Sequence, residues 1–229
     1  MQSQDVSAEF LIKFWPWLEA NRNRLIGIAV AAGVILLGWY YVATQRAQKA
    51  VDAGQAYTAL QLNLPPNSTA QQVAAEFLQL AGKYSGTLAG QRAQLQAASL
   101  LFDAGRYADA QAMFQKFLNA NHDSPLAAEA RLGVAASLEA QNQPGRAETE
   151  YRAVTTGFPD SPEMLPAEFA LARVLEAQGK LSEAAGCYQQ VLSAPLAGSL
   201  VSEAAQRLQE IRSKLPAAKL PEVKPAMKF

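Results

Sequence analysis

Cysteine and histidine are nearly absent from this chain of 229 residues, with Cys187 and His122 the only examples. One cysteine leaves no internal disulfide to staple the fold, and one histidine without a second soft ligand leaves no metal site. An excess of charge of one sign is lacking too. Lys and Arg balance Asp and Glu to a formal net charge of zero, so the basic footprint that a nucleic-acid binder turns toward phosphates is missing. Catalytic signatures are equally scarce. The chain carries no nucleophile elbow, phosphate-binding glycine loop, His-Glu metal helix or isolated carboxylate pair, and its scattered Asp and Glu read as solvated helix surface. The expectation is a protein that is not an enzyme and takes no cofactor, metal, nucleic acid or small-molecule substrate.

Apolar material is plentiful by contrast. One run, Leu25 to Ala43 (LIGIAVAAGVILLGWYYVA), has no charged side chain. At the helical rise it covers roughly 28 Å, close to the hydrocarbon thickness of a bilayer, which predicts a transmembrane helix over 25–43. Trp15 and Trp17 before it, and Trp39, Tyr40 and Tyr41 at its far end, are placed as interfacial aromatics are. The 24 residues ahead of it make a long leader for a signal peptide, and VATQRA after it offers neither a small-x-small cleavage site nor a lipobox cysteine. The span is therefore expected to be retained as an anchor. Lys13, Arg22 and Arg24 precede it while Arg46 and Lys49 follow. That three-to-two bias puts the N-terminus in the cytoplasm and the remainder on the other side. Within the span, Gly27 with Ala31 and Ala29 with Gly33 make small-xxx-small pairs suited to close packing against another membrane helix. In the leader, residues 1–24, Phe10, Leu11, Phe14, Trp15 and Leu18 recur at helical spacing. An amphipathic interfacial helix bent at Pro16 and a flexible tail both remain open there.

Beyond the span the chain repeats itself. Asp123-Ser124-Pro125 returns as Asp160-Ser161-Pro162, 37 residues later. The same interval separates Leu101, Leu138 and Leu175; Ala98, Ala135 and Ala172; Ala110, Ala147 and Ala184; Phe114, Tyr151 and Tyr188; and Phe117, Val154 and Val191. Gly105, Asn142 and Gly179 share one more phase, that of residues able to end a helix in the left-handed region. Residues 91–196 thus read as three stacked supersecondary units. Each is a pair of antiparallel helices, A and B: 90–104 with 107–119, 126–141 with 145–156, and 165–178 with 181–193. Alanines sit where paired helices approach most closely. Asp-Ser-Pro falls where the next helix A begins, with Asp or Ser expected as N-cap and Pro at the first helical position.

The flanks follow the same period. Residues 44–90 read as a helical linker ending at Pro65-Pro66 and a degenerate first repeat capped by Ser68 or Thr69, in which Phe77 and Leu80 stand one period before Phe114 and Phe117. Residues 197–214, with Ala204, Leu208 and Ile211 on one face, are expected to cap the open end. Residues 215–229 interleave Pro216, Pro221 and Pro225 with Lys219, Lys224 and Lys228 and read as an extended solvated tail, with docking the alternative. His122 is expected in an exposed linker and Cys187 as a small packed hydrophobe.

Gly105 to Phe114 (G-R-Y-x-x-A-x-x-x-F) and Gly179 to Tyr188 (G-K-L-x-x-A-x-x-x-Y) resemble tetratricopeptide repeats. The fold class expected is all-α: one transmembrane helix followed by an α-solenoid of antiparallel helix pairs. The repeat length and the Asp-Ser-Pro linkers are similar to those of bacterial envelope proteins of the BamD and YbgF types. Gln94, Arg131 and Glu168 replace the usual Trp of helix A, and Leu101, Leu138 and Leu175 its usual Tyr. The whole layout, with one span ending in GWYY and then AAEFLQLAGKYSGTLAGQRAQLQAASLLFDAGRYADA, resembles the YfgM-like ancillary subunits of the SecYEG translocon. That resemblance implies a periplasmic repeat domain and, as partners, the translocon and a PpiD-like chaperone. An envelope assembly or division adaptor is the alternative.

If A helices line the concave wall of the array, the inward positions are Arg92, Leu95, Ser99 and Phe102, then Glu129, Leu132, Ala136 and Glu139, then Phe169, Arg173 and Glu176. Apolar side chains flanked by charge suit a partner helix or an extended segment.

Overall fold

The computed structural model describes residues 5–64, 67–194 and 198–214; the side chains of 5–14, Pro16 and Leu18 are outside that description. The Pro65-Pro66 stop, the apolar face of the leader and the Lys-rich tail therefore lie outside the described residues. Among those described, every regular element is helical. In chain order they are α1 Asp5–Leu62, α2 Ala70–Lys83, α3 Leu88–Asp103, α4 Tyr107–Ala120, α5 Ala127–Ala140, α6 Pro144–Gly157, α7 Met164–Ala177, α8 Leu181–Ser193 and α9 Leu200–Lys214.

The chain divides into two compact units, residues 1–52 and 53–229. The described residues of the first are helix alone, which runs through Pro16 without a break. Its apolar stretch is long and apolar enough to cross a membrane, and none of it is buried within the protein. Ile28, Val34, Ile35, Leu36, Leu37 and Trp39 are all exposed.

The second unit is the repeat array, and its core is built from the periodic columns. Ala98, Ala135, Ala172, Ala110, Ala147 and Ala184 are fully buried, as are Phe117, Val154 and Val191. Phe77, Phe114, Tyr151 and Tyr188 join them, and Leu80 opens the Phe117 column one period earlier. A methyl group at the Ala positions is all that closely approaching helix axes allow, while the large residues fill the space between successive pairs. The first pair is formed by the C-terminal end of α1 with α2. There Ala53 is buried, and the Tyr57 ring tilts against Phe77 with centroids 5.7 Å apart.

Helix ends follow from local chemistry. Thr69 starts α2 with a capping box, its hydroxyl accepting from the Gln72 amide while the Gln72 side chain accepts from the Thr69 amide. Helices α3, α5 and α7 end in one way. Gly105, Asn142 and Gly179 take φ of 75°, 57° and 77°, and the amides of Arg106, Gln143 and Lys180 reach back to the carbonyls of Leu101, Leu138 and Leu175. This is the Schellman closure, and it needs a residue that tolerates left-handed backbone.

The Asp-Ser-Pro linkers depart from expectation. Helices α5 and α7 begin two residues after each Pro, at Ala127 and Met164, and the cap positions Leu126 and Glu163 make no side-chain cap bond. The Ser124 and Ser161 carbonyls instead accept the amides of Ala127 and Met164, so a separate tight turn comes before each helix. Asp123 stays in solvent beside His122. Ser124 still serves locally: its hydroxyl accepts from the Leu126 amide at 3.1 Å and donates to Gln91 Oε1 at 2.7 Å, while Gln91 Nε2 donates to Asn121. One period on, Gln91 is replaced by Ala128 and Asn121 by Phe158, and the buried Ser161 hydroxyl has no partner among the described residues. The same residue type in the same turn is thus supported once and orphaned once. Ser124→Ala is expected to lower stability by about 1 kcal/mol, whereas Ser161→Ala is neutral or stabilising by up to about 1 kcal/mol. Chemical denaturation of the two variants side by side measures the contrast, and equal losses would sink the explanation.

The array closes on half a repeat. Ala204 and Leu208 lie 37 residues after Ala167 and Leu171, and all four are buried. Helix α9 is therefore a further helix A, after the end of α1, α3, α5 and α7. The positions that would meet its own helix B, one period after Ala172 and Leu175, are Gln209 and Arg212, and both are exposed. Polar side chains at those positions end the stack.

Candidate protein-interaction face

Successive A helices α3, α5, α7 and α9 touch one another more closely than successive B helices do, so the array curves with the A helices on its inner wall. Eleven residues were expected to point inward on that wall, and the structure sorts them into three groups.

Leu95 and Phe169 are not available. They are 1% and 6% exposed and belong to the core, with the Phe169 ring edge-on to Tyr188 at 5.7 Å. They share their phase with Leu132, which is only partly buried, so packing within their own repeats and not phase takes Leu95 and Phe169 into the core, which corrects the expectation for both.

Glu139, Arg173 and Glu176 are committed within the chain. Glu139 accepts the Tyr151 hydroxyl at 2.7 Å on one oxygen and the Arg173 guanidinium at 2.5 Å on the other. Glu176 accepts the Tyr188 hydroxyl at 3.1 Å and faces Arg207 at 4.0 Å. The Tyr and the Glu advance by one period, and the Arg comes one turn early in the next A helix: a B-helix Tyr holds a carboxylate of its own A helix, and that carboxylate reaches an Arg of the next A helix. Burial first, and then the neighbouring carboxylate, push the Tyr151 and Tyr188 hydroxyls well above the ordinary phenol value. Both Tyr therefore remain protonated donors. The ladder fixes the stacking of repeats two, three and the terminal half-repeat.

Arg92, Ser99, Phe102, Glu129 and Leu132 remain on the wall, Arg92 and Glu129 exposed and the others partly so. Ala136 is partly exposed one turn after Leu132. Phe102 packs edge-on against Tyr107 with centroids 5.1 Å apart, which leaves the ring supported yet reachable. Partial desolvation by the wall beside it and then the nearby Glu163 carboxylate push the Glu129 carboxyl above its ordinary value, against the pull of Arg92. The inner wall at repeats one and two is thus a mixed surface of apolar patches and loosely paired charge. Such a surface takes a helix or an extended chain by side-chain burial with charged flanks. In the first unit, Gly27, Ala29, Ala31 and Gly33 lie on α1, and a methyl group added at Gly27 or Gly33 would meet nothing within 4 Å.

A second periodic pair escaped the sequence reading. Arg131 of α5 bonds Glu150 of α6 at 2.9 Å. One period later the same two positions are Glu168 and Cys187, both buried, with the thiol hydrogen-bonded to the carboxyl group. An ion pair has become a carboxyl-thiol pair. Burial pushes the Glu168 carboxyl up, opposed by the Cys187 bond and the more distant Arg152, and burial together with Glu168 pushes the Cys187 thiol up. Glu168 therefore keeps its proton in the folded chain at pH values where the unfolded chain has lost it. Stability should fall as pH rises from the ordinary carboxyl value toward the raised one. Replacing Glu168 by Gln is expected to remove that part of the slope in unfolding midpoints measured between about pH 4.5 and 7. An unchanged slope would show that Glu168 is ionised when folded.

The family model of the tetratricopeptide repeat-like domain matches residues 15–211. The chain belongs to that family. The match includes the apolar helix together with every repeat and the terminal half-repeat. Among solved structures, the chain is similar to the nearly identical TPR-like repeats of a candidate kinesin light chain from Podosopora anserina, and to a singly substituted form of the same repeats. Identity is 16% and the TM-score 0.49 in both cases. The alignments cover 73% of this chain and, in the same order, 95% and 94% of those chains. No curated protein matches. Membership of a tetratricopeptide repeat-like family suggests an interaction scaffold with protein partners.

Proposed function

We propose that this tetratricopeptide repeat-like protein is a non-enzymatic scaffold held in a bacterial inner membrane by α1, with its N-terminus in the cytoplasm and its array in the periplasm. There it serves as an ancillary factor of the SecYEG translocon, working beside a PpiD-like chaperone on emerging secreted chains. The observation that carries the anchoring is the apolar run of α1, none of which the protein buries. In water such a run would expose a hydrophobic surface far larger than a soluble protein tolerates. Orientation is supported by the Lys13, Arg22 and Arg24 side of the span against Arg46 and Lys49, and the translocon by the YfgM-like layout.

In-cell photo-crosslinking tests the proposal, with the reactive side chain placed at Ala31 in the membrane helix and at Arg92 or Leu132 on the inner wall. Leu95 and Phe169 are unsuitable because they are buried. Capture of translocon subunits from Ala31, with a chaperone or nascent chains from the wall, is the expected result. Capture from the wall of an outer-membrane assembly or division component, with only lipid at Ala31, would replace the translocon reading by the envelope adaptor.

A further inference from the structure

The inner wall carries carboxylates that the array does not neutralise. Among the described residues, Glu129 at the start of α5, Glu163 just before α7 and Asp103 at the end of α3 have no ion-pair partner within 4.0 Å, and Arg92, the one cation of this wall likewise without such a pair, offsets a single one of these three charges. Glu129 and Glu163 are close enough to repel each other, and Asp103 lies one turn beyond Ser99 on the face that carries Arg92. Between these charges Phe102, Leu132 and Ala136 are only partly covered. The surface calls for a segment with spaced cations and apolar side chains between them.

The fifteen residues that follow Lys214, LPAAKLPEVKPAMKF, have that character. Lys219, Lys224 and Lys228 outweigh Glu222, and Leu220, Val223 and Met227 lie among them. Their point of departure is favourable. Helix α9 is the last A helix and packs beside α7, and its last residue, Lys214, is the point from which the segment starts. Fifteen extended residues reach up to about 50 Å, and three A-helix spacings of about 10 Å separate α9 from α3. The prolines favour an extended form that loses little entropy on docking.

We propose that residues 215–229 dock along the inner wall of the array, setting Lys219, Lys224 and Lys228 in turn against Glu163, Glu129 and Asp103 and laying Leu220, Val223 and Met227 over Ala136, Leu132 and Phe102. The segment is then a built-in occupant of the face assigned above to partners, and a partner must displace it. Self-docking itself needs no partner, so its test is independent of the translocon reading.

The full chain, reconstituted in lipid nanodiscs, is treated with a zero-length carbodiimide that joins lysine to carboxylate, and the linked peptides are mapped. Links from the tail lysines to Glu129, Glu163 or Asp103 are expected. Their yield should be unchanged between protein concentrations ~10-fold apart, as an intramolecular encounter requires, and should decline as salt screens the charges. A second readout does not depend on the linking chemistry: trypsin cleavage after Lys219 should accelerate at least about 5-fold in the Glu129→Gln/Glu163→Gln variant, as release of a docked segment predicts. No tail link to the wall, links that grow with protein concentration and so belong to a second copy, or equal cleavage rates would each overturn the proposal.

Discussion

Truncating Phe117 to alanine is expected to lower the stability of the array by about 3–5 kcal/mol, in the range typical of a buried Phe→Ala cavity. Phe117 has no exposed surface. It is the largest member of a column whose other positions are Leu80, Val154 and Val191, so its truncation removes the most volume in that column. The site also matters to cooperativity. In a stack where each pair touches only its neighbours, stability is a sum of repeat terms and interface terms. Helix α4, which carries Phe117, packs on both α3 and α5. Weakening it is expected to uncouple the first repeats from the later ones, so urea unfolding followed by circular dichroism should broaden or split into two transitions. Val154→Ala, one period later, removes less volume and should cost about 1–2 kcal/mol. A single sharp transition with a loss below about 1 kcal/mol would mean that the array tolerates the cavity by collapse.

The array was legible because packing acts on it periodically. An interval of 37 residues aligns the columns at which helix pairs approach, and each of those columns is buried. Gly105, Asn142 and Gly179 were readable as helix ends because the left-handed region admits few residue types. The helix starts were harder. Asp-Ser-Pro looks like a capping signal, yet a proline-bearing turn closed by the Ser carbonyl delays each helix by two residues. Sequence spacing alone does not distinguish a cap from a turn that leads into one.

The face was legible only in outline. Leu95 and Phe169 are apolar residues in an A-helix phase near the groove, and small differences in helix rotation decide whether such a side chain enters the core or the wall. The commitments of Glu139 and Glu176 did leave a trace. Repeats two and three carry both a Glu at this phase and a Tyr 12 residues later, whereas repeat one carries Phe102 and Phe114. Carboxylate and hydroxyl appear together and vanish together, as partners in one hydrogen bond would. The Arg131–Glu150 and Glu168–Cys187 pairs left a weaker trace, because the chemistry of the contact changes between copies while its position does not.

Gly90→Ala is expected to destabilise the first full repeat by about 2–3 kcal/mol, although glycine to alanine inside a helix ordinarily stabilises by about 0.5–1 kcal/mol. Gly90 lies in the first turn of α3, where its amide donates to the Thr87 hydroxyl at 3.1 Å. The chain from α2 folds directly over it. A methyl group on Gly90 would fall on the Tyr84 carbonyl oxygen, well inside van der Waals contact, and within 2.9 Å of the carbonyl carbon. That oxygen cannot move freely, because it accepts from both the Thr87 amide and the Thr87 hydroxyl, at 3.1 and 2.7 Å. Relief of the clash therefore shifts backbone and opens the cap of α3. Gly82 and Gly145 supply the controls. Each lies in a helix, α2 or α6, and an added methyl group meets nothing within 4 Å, so alanine there should follow the ordinary rule and raise stability by about 0.5–1 kcal/mol. Thermal unfolding of the three single variants reads opposite signs from one chemical change. A stabilised Gly90→Ala chain would show that the connection between α2 and α3 yields, and that the glycine serves conformation alone.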